Sequence, residues 1–83
     1  FEFSVSGSGS DMPIIVFTDG EKTYLKFKKK QKKQVPIFIR PRGKKELSLV
    51  NYQIKDNYYI IDAVFDFAQI KGDGNHVIEI KHK

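Results

Sequence analysis

The chain predicts an all-β fold, a small antiparallel β-sandwich of about seven to nine short strands. Three observations carry that prediction. Residues 14–27 place an apolar run, Ile14-Ile15-Val16-Phe17, ahead of Asp19-Gly20 and an alternating segment behind it, which is the pattern of a β-hairpin. Turn residues then recur roughly every eight to twelve positions, separating short stretches rich in Val, Ile, Tyr and Phe. No segment sustains the helical period. Short apolar faces of this kind are buried most readily between two packed sheets.

In chain order, Phe1-Glu2-Phe3-Ser4-Val5 alternates and reads as a first strand, followed by Ser6-Gly7-Ser8-Gly9-Ser10 as a flexible loop or linker. Pro13 suits the start of the hairpin, where no ladder donor is needed. Beyond the Asp19-Gly20 turn, the two-residue period points Thr23, Leu25 and Phe27 to one side and Lys22, Tyr24 and Lys26 to the other. Residues 28–34 carry like charge and no apolar face, so they form a loop. Residues 35–40 read as a third strand, 41–46 as a turn and 47–55 as one longer strand. Asp56-Asn57 is a compact turn, because both residues accept left-handed backbone. Residues 58–65 alternate with two rich faces and read as a central strand, while 66–71 fit a strand extension or a helical turn. Gly72-Asp73-Gly74-Asn75 is a turn, and residues 76–81 close the chain as a strand.

The 83 residues suit a single domain near the lower limit for one core. There is no cysteine, hence no disulfide framework and no thiolate site. The sequence begins at Phe1 without a methionine, which reads as a fragment of a longer secreted protein. Net charge is +5, a hint of affinity for anionic surfaces.

Catalytic signals are absent from the sequence. His76 and His82 lie six apart, too few for a metal site that needs three or four convergent ligands, and read as solvent-facing. Asp19, Asp56 and Asp73 fall in turns, where they cap backbone. Ser6, Ser8 and Ser10 have no base at recognisable spacing. No enzyme activity, cofactor or metal is expected. The conspicuous feature is the basic run Lys28, Lys29, Lys30, Lys32 and Lys33, five lysines in six positions. Together with Arg40, Arg42, Lys44 and Lys45 it forms one basic patch if the two loops share an end. Phe38, Tyr52 or Tyr58 would then offer stacking surfaces for single-stranded nucleic acid, the alternative function. A plain solvated loop that blunts sheet edges is the competing reading.

The order of residues also carries a family likeness. Pro13-x-x-Val16-Phe17-x-Asp19-Gly20-x-x-Thr23-Tyr24-x-x-Phe27, then Val35-Pro36-Ile37-Phe38-Ile39, Val50-Asn51-Tyr52, Tyr59-Ile60-Ile61-Asp62, Ala68-Gln69-Ile70 and Val77-Ile78-Glu79-Ile80 resemble the C-terminal domain of the CagX/TrbG proteins of type IV secretion systems. The resemblance implies a β-sandwich of the outer-membrane core complex, in the periplasm and associated with the outer membrane. It implies a structural assembly module whose partners are a small outer-membrane lipoprotein, a TrbI-like channel subunit and copies of itself in a ring. Without cysteine, any link to the lipoprotein here is non-covalent. In the motif, Pro13, Phe17, Asp19, Gly20, Thr23 and Phe27 are turn or core positions, with Thr23 and Phe27 inward. Partner contact is expected at exposed-edge candidates Phe3, Val5, Tyr24, Tyr58 and Tyr59.

Overall fold

The structure, a computed structural model, describes residues 3–7, 12–30, 35–71 and 76–82. Nine strands are described: β1 (Phe3–Gly7), β2 (Ile15–Thr18), β3 (Thr23–Lys26), β4 (Ile37–Pro41), β5 (Ser48–Leu49), β6 (Tyr52–Lys55), β7 (Tyr58–Ile61), β8 (Phe65–Lys71) and β9 (Val77–His82). They form a five-stranded sheet in the order β1-β9-β8-β4-β5 and a four-stranded sheet in the order β2-β3-β7-β6. Every described pairing is antiparallel. The two sheets pack together as a sandwich and do not close into a barrel.

Alternation determines what lies between the sheets. Val16, Leu25, Tyr59 and Ile61 of the four-stranded sheet meet Ile37, Ile39, Phe65, Ala68, Ile70, Ile78 and Ile80 of the five-stranded sheet, and all are buried. Fully burying a side chain of this size contributes about 1.5–3 kcal/mol. Phe27 closes one end of the core against the Tyr59 ring, 4.8 Å away. Thr23 is the one buried polar residue among those described, and its hydroxyl donates to the Ala63 carbonyl at 2.8 Å.

The hairpin expected at residues 14–27 is present, with β2 and β3 paired from Ile15↔Lys26 to Thr18↔Thr23. Pro13 is buried just ahead of the first ladder bond, which the Ile14 N–H makes to the Lys26 carbonyl at 2.7 Å. Asp56–Asn57 is the compact turn anticipated, with Asp56 at φ 55° and Lys55 opposite Tyr58.

Two long segments break differently from the expectation. Residues 47–55 supply β5 to one sheet and β6 to the other. The crossing occurs just after the Val50 N–H bonds the Ile37 carbonyl. Residues 58–65 likewise end β7 at Ile61 and begin β8 at Phe65. The hydrogen bond from Thr23 to Ala63 holds the corner between them. Residues 66–71 are strand. Pro41 faces Phe65 and Arg40 faces Phe67, so Asp66 is an extra residue and makes a β-bulge. That bulge lets both Phe65 and Ala68 face the core despite their odd separation.

β1 also runs past the expected boundary. Ser6 and Gly7 pair with Glu79 and Ile78, so the Ser/Gly stretch begins as ladder and not as linker. Gly7 sits at φ 141°, and a Cβ there would collide with the backbone carbonyl of Val77 and lie 2.8 Å from the Ile78 Cα. Only glycine admits that approach. Ser8, Gly9 and Ser10, and the glycine-rich turn at 72–75, lie outside the described residues.

Candidate interaction surface

The hairpin turn builds the surface. Thr18 faces Thr23, so the loop is the four residues 19–22 and not a two-residue Asp-Gly turn. Gly20 alone in it takes positive φ, 97°. Asp19 organises the rest: its Oδ1 accepts the N–H groups of Lys22 at 2.8 Å and Glu21 at 2.9 Å. Thr18 Oγ1 donates to the Lys22 carbonyl at 2.7 Å and accepts the Gly20 N–H at 3.1 Å. These satisfied groups leave Asp19 Oδ2 to accept the Tyr24 hydroxyl at 3.0 Å. The hydrogen bonds from the Lys22 and Glu21 N–H groups, then from Tyr24, hold the Asp19 carboxyl below its ordinary range. Asp19 in turn pushes the Tyr24 phenol above its ordinary range, chiefly as acceptor of the hydroxyl proton.

The four-residue loop places Phe17 directly opposite Tyr24. Their rings stack at 4.9 Å and 10°, and Tyr58 meets Phe17 edge-on at 6.5 Å and 87°. Ile60 lies opposite Tyr24 on β7, and Ile15, 45% exposed, flanks Phe17 on β2. Ile15, Phe17, Tyr24, Tyr58 and Ile60 thus form an aromatic and aliphatic ledge on the outward side of the four-stranded sheet. One border of that ledge is β2, an edge strand.

Of the expected contact residues, Tyr24 and Tyr58 are brought together on this ledge. Tyr59 is not exposed: it is 3% accessible and packs against Phe27 and Tyr52 in the core. The alternation that sends Tyr58 outward sends its neighbour inward. Phe3 and Val5 lie on β1, an edge strand of the other sheet, but their side chains pack against the core. Phe3 touches the Phe65 ring at 5.8 Å and the His82 ring at 5.1 Å. His82 is therefore half-buried and not simply solvent-facing. Among the motif positions, Pro13, Thr23 and Phe27 are buried and Asp19 and Gly20 make the turn. Phe17 is neither: it is the centre of the ledge.

The basic residues do not converge. Lys28, Lys29 and Lys30 are exposed and precede β4, whereas Arg42, Lys44 and Lys45 follow it. The length of β4, roughly 3.3 Å per residue, separates the two groups at opposite ends of the sandwich. Lys32 and Lys33 lie outside the described residues. Nor do the stacking candidates share a surface. Tyr58 is on the ledge, Phe38 faces outward from the other sheet beneath Lys71, and Tyr52 packs inward against Tyr59.

Two anchors that the sequence reading missed bracket the lysine segment. Asn57 receives the Phe27 N–H at 2.8 Å and donates its side-chain amide to the Phe27 carbonyl at 2.7 Å. The Tyr52 hydroxyl bonds both the N–H and the carbonyl of Val35 at 2.7 Å. Desolvation raises the Tyr52 phenol above its ordinary range. An Asn in the second position of a tight turn and a Tyr at a strand start are the only sequence signals for these roles.

No group of three His, Cys, Asp or Glu side chains among the described residues converges to hold a metal ion. What the geometry offers is surface: an apolar ledge of the kind that binds a partner. The family model CagX, described as conjugal transfer protein, matches residues 1–83. The probable conjugal transfer protein TrbG of Sinorhizobium fredii is 36% identical over 69 residues, which covers 82% of this chain and 25% of the relative. The chain thus spans about a quarter of that relative's length. The chain belongs to the CagX family of conjugal transfer proteins of type IV secretion systems.

Proposed function

We propose that this chain is a structural assembly module of the type IV secretion outer-membrane core, working in the periplasm at the outer membrane without catalysis. It holds an extended segment of a small outer-membrane lipoprotein and packs against a TrbI-like channel subunit and neighbouring copies of itself. Family membership supports the setting. The observation that carries the binding role is the ledge of Ile15, Phe17, Tyr24, Tyr58 and Ile60, whose rings and aliphatic groups gather on the outward side of the four-stranded sheet. A bound extended segment would lay alternate apolar side chains on Ile15 and Phe17. The chain has no cysteine, so this association is non-covalent.

Calorimetric titration with a synthetic peptide of the cognate lipoprotein's extended segment tests the reading. Saturable one-to-one binding that Phe17→Ser weakens at least about ten-fold is the expected outcome, since an aromatic anchor is worth roughly 1.5–3 kcal/mol when covered. A flat titration, or binding indifferent to Phe17→Ser, would remove it.

A further inference from the structure

The β5 edge of the five-stranded sheet combines exposed apolar groups with nearby cations. Leu47 and Leu49 are 45% and 67% exposed, and Leu49 is the most exposed of the large apolar side chains described. Leu49 lies in β5 opposite the outward-facing Phe38, and Leu47 comes just before that strand. The turn that leads into them carries Arg42, Lys44 and Lys45, all exposed, and is closed by the Lys44 N–H on the Pro41 carbonyl at 2.9 Å. Arg42 has one carboxylate near it, Asp66 at 3.6 Å. Lys44 and Lys45 have none within ion-pair distance among the described residues. The same outward face continues with Lys71 over the Phe38 ring at 5.2 Å and Arg40 over the Phe67 ring at 5.4 Å.

We propose that this edge docks on an anionic lipid bilayer, with Leu47 and Leu49 entering the headgroup–acyl boundary and Arg42, Lys44 and Lys45 meeting lipid phosphates. Three features favour that occupant. Leu49 projects from a two-residue edge strand and Leu47 from the residue before it, not from a groove, so a flat surface reaches them. The cations stand on flexible stems in the exposed turn just before the leucines, with Glu46 the one acidic residue between, an arrangement suited to headgroups; the core of a protein interface is depleted in lysine instead. Nucleic acid would leave the leucines without a partner and would find Phe38 and Phe67 already covered by cations.

The test is partitioning of the chain onto vesicles of phosphatidylcholine with about a third phosphatidylglycerol, an anionic surface of the kind that attracts basic segments. Binding should fall at least about ten-fold in Leu47→Ser/Leu49→Ser. It should fall about a hundred-fold in Arg42→Gln/Lys44→Gln/Lys45→Gln, from roughly five-fold per charge near the surface. Lys28→Gln/Lys29→Gln/Lys30→Gln removes equal charge from the opposite end and should cost far less. Spin-labelled lipid added to the unmodified chain should broaden the Leu47 and Leu49 methyl resonances, a readout independent of any variant's folding. Equal loss in both lysine variants, undiminished binding of the leucine variant, or no broadening at the two leucines would overturn the proposal. So would occupation of the leucines by oligothymidylate or the lipoprotein peptide and not by vesicles. None of these outcomes depends on whether the lipoprotein segment binds the ledge.

Discussion

The outward faces of the two sheets use aromatic residues in opposite ways. On the four-stranded sheet, Phe17 contacts both Tyr24 and Tyr58 and leaves apolar surface open to solvent beside Ile15. On the five-stranded sheet, Phe38 and Phe67 each lie beneath a cation and the exposed apolar groups retreat to the β5 edge. Both sheets bury similar aliphatic residues on their inner sides, so core packing does not produce the difference. It comes from what alternates with the core positions: Phe, Tyr and Ile around the hairpin, and charged residues, Arg40, Lys71 and Lys81 with Asp66 and Glu79 among them, along β4, β8 and β9. The lesson is that a sandwich can carry two distinct surfaces on one core. One is dry and suited to a polypeptide, the other cationic and suited to an anionic partner.

The largest expected effect separates the sheets mechanically. Gly7→Ala should push β1 away from β9 and cost about 2–3 kcal/mol from positive φ and backbone collision. That corresponds to a fall of about 10–20 °C in thermal midpoint. The ring contacts of Phe17 with Tyr24 should survive in the folded fraction, because they belong to the other sheet. Next in size is Thr23→Val, which leaves the Ala63 carbonyl without its donor at the corner where β7 hands over to β8. A loss of about 1–2 kcal/mol in denaturant melts is expected. An unchanged midpoint would show that the corner does not need the bond.

The outer faces themselves should differ in salt response. Phe17→Ala should cost about 1 kcal/mol from lost stacking at any ionic strength. Arg40→Gln should cost about 0.5 kcal/mol or less, and less still at high salt, since its cation–π contact is exposed. Equal salt dependence in both would erase the distinction between a dry and a cationic face.

The smallest effect is a titration. Asp19 has its carboxyl lowered in the folded chain, so the stabilisation it gives is present above the ordinary carboxylate range and is lost as pH falls through the lowered value. Tyr24 is raised, so its share is present below the ordinary phenol range and is lost as pH rises through the raised value. The Asp19–Tyr24 bond should therefore persist between about pH 4 and pH 10. Tyr24 ring resonances in NMR should stay constant across that window and move outside it, and Asp19→Asn should abolish the acid-side change.

Much of the fold is legible from local chemistry. Asp19-Gly20 and Asp56-Asn57 mark real turns, and the alternation through Thr23, Leu25 and Phe27 assigns the correct inner face. The places where sheets are exchanged are not legible. No glycine or proline marks Val50-Asn51 or Asp62-Ala63, and a lone Asn or Asp does not announce a change of sheet; those crossings carry bonds to Ile37 and Thr23, distant in sequence. Ser6 and Gly7 look like linker because composition cannot reveal that Val77 and Ile78 approach the backbone there.

The candidate surface was half legible for the same reason. Alternation alone places Tyr24 and Tyr58 outward, but pairing Phe17 with Tyr24 requires the four-residue loop. A two-residue Asp-Gly turn would have set Phe17 opposite Lys22. Tyr59 was misplaced because β7 is rich on both sides, and only the position of the second sheet tells which is inner. The lysine run drew attention through charge, yet β4 separates it from the cations that stand beside exposed leucines.

The most direct measurement of the central claim is a site-resolved NMR titration of the labelled chain with the lipoprotein segment. Saturable shifts concentrated at Ile15, Phe17, Tyr24, Tyr58 and Ile60 are the result expected of a segment bound on the ledge. Saturable shifts confined to β1 or to the outward face of the five-stranded sheet would contradict it.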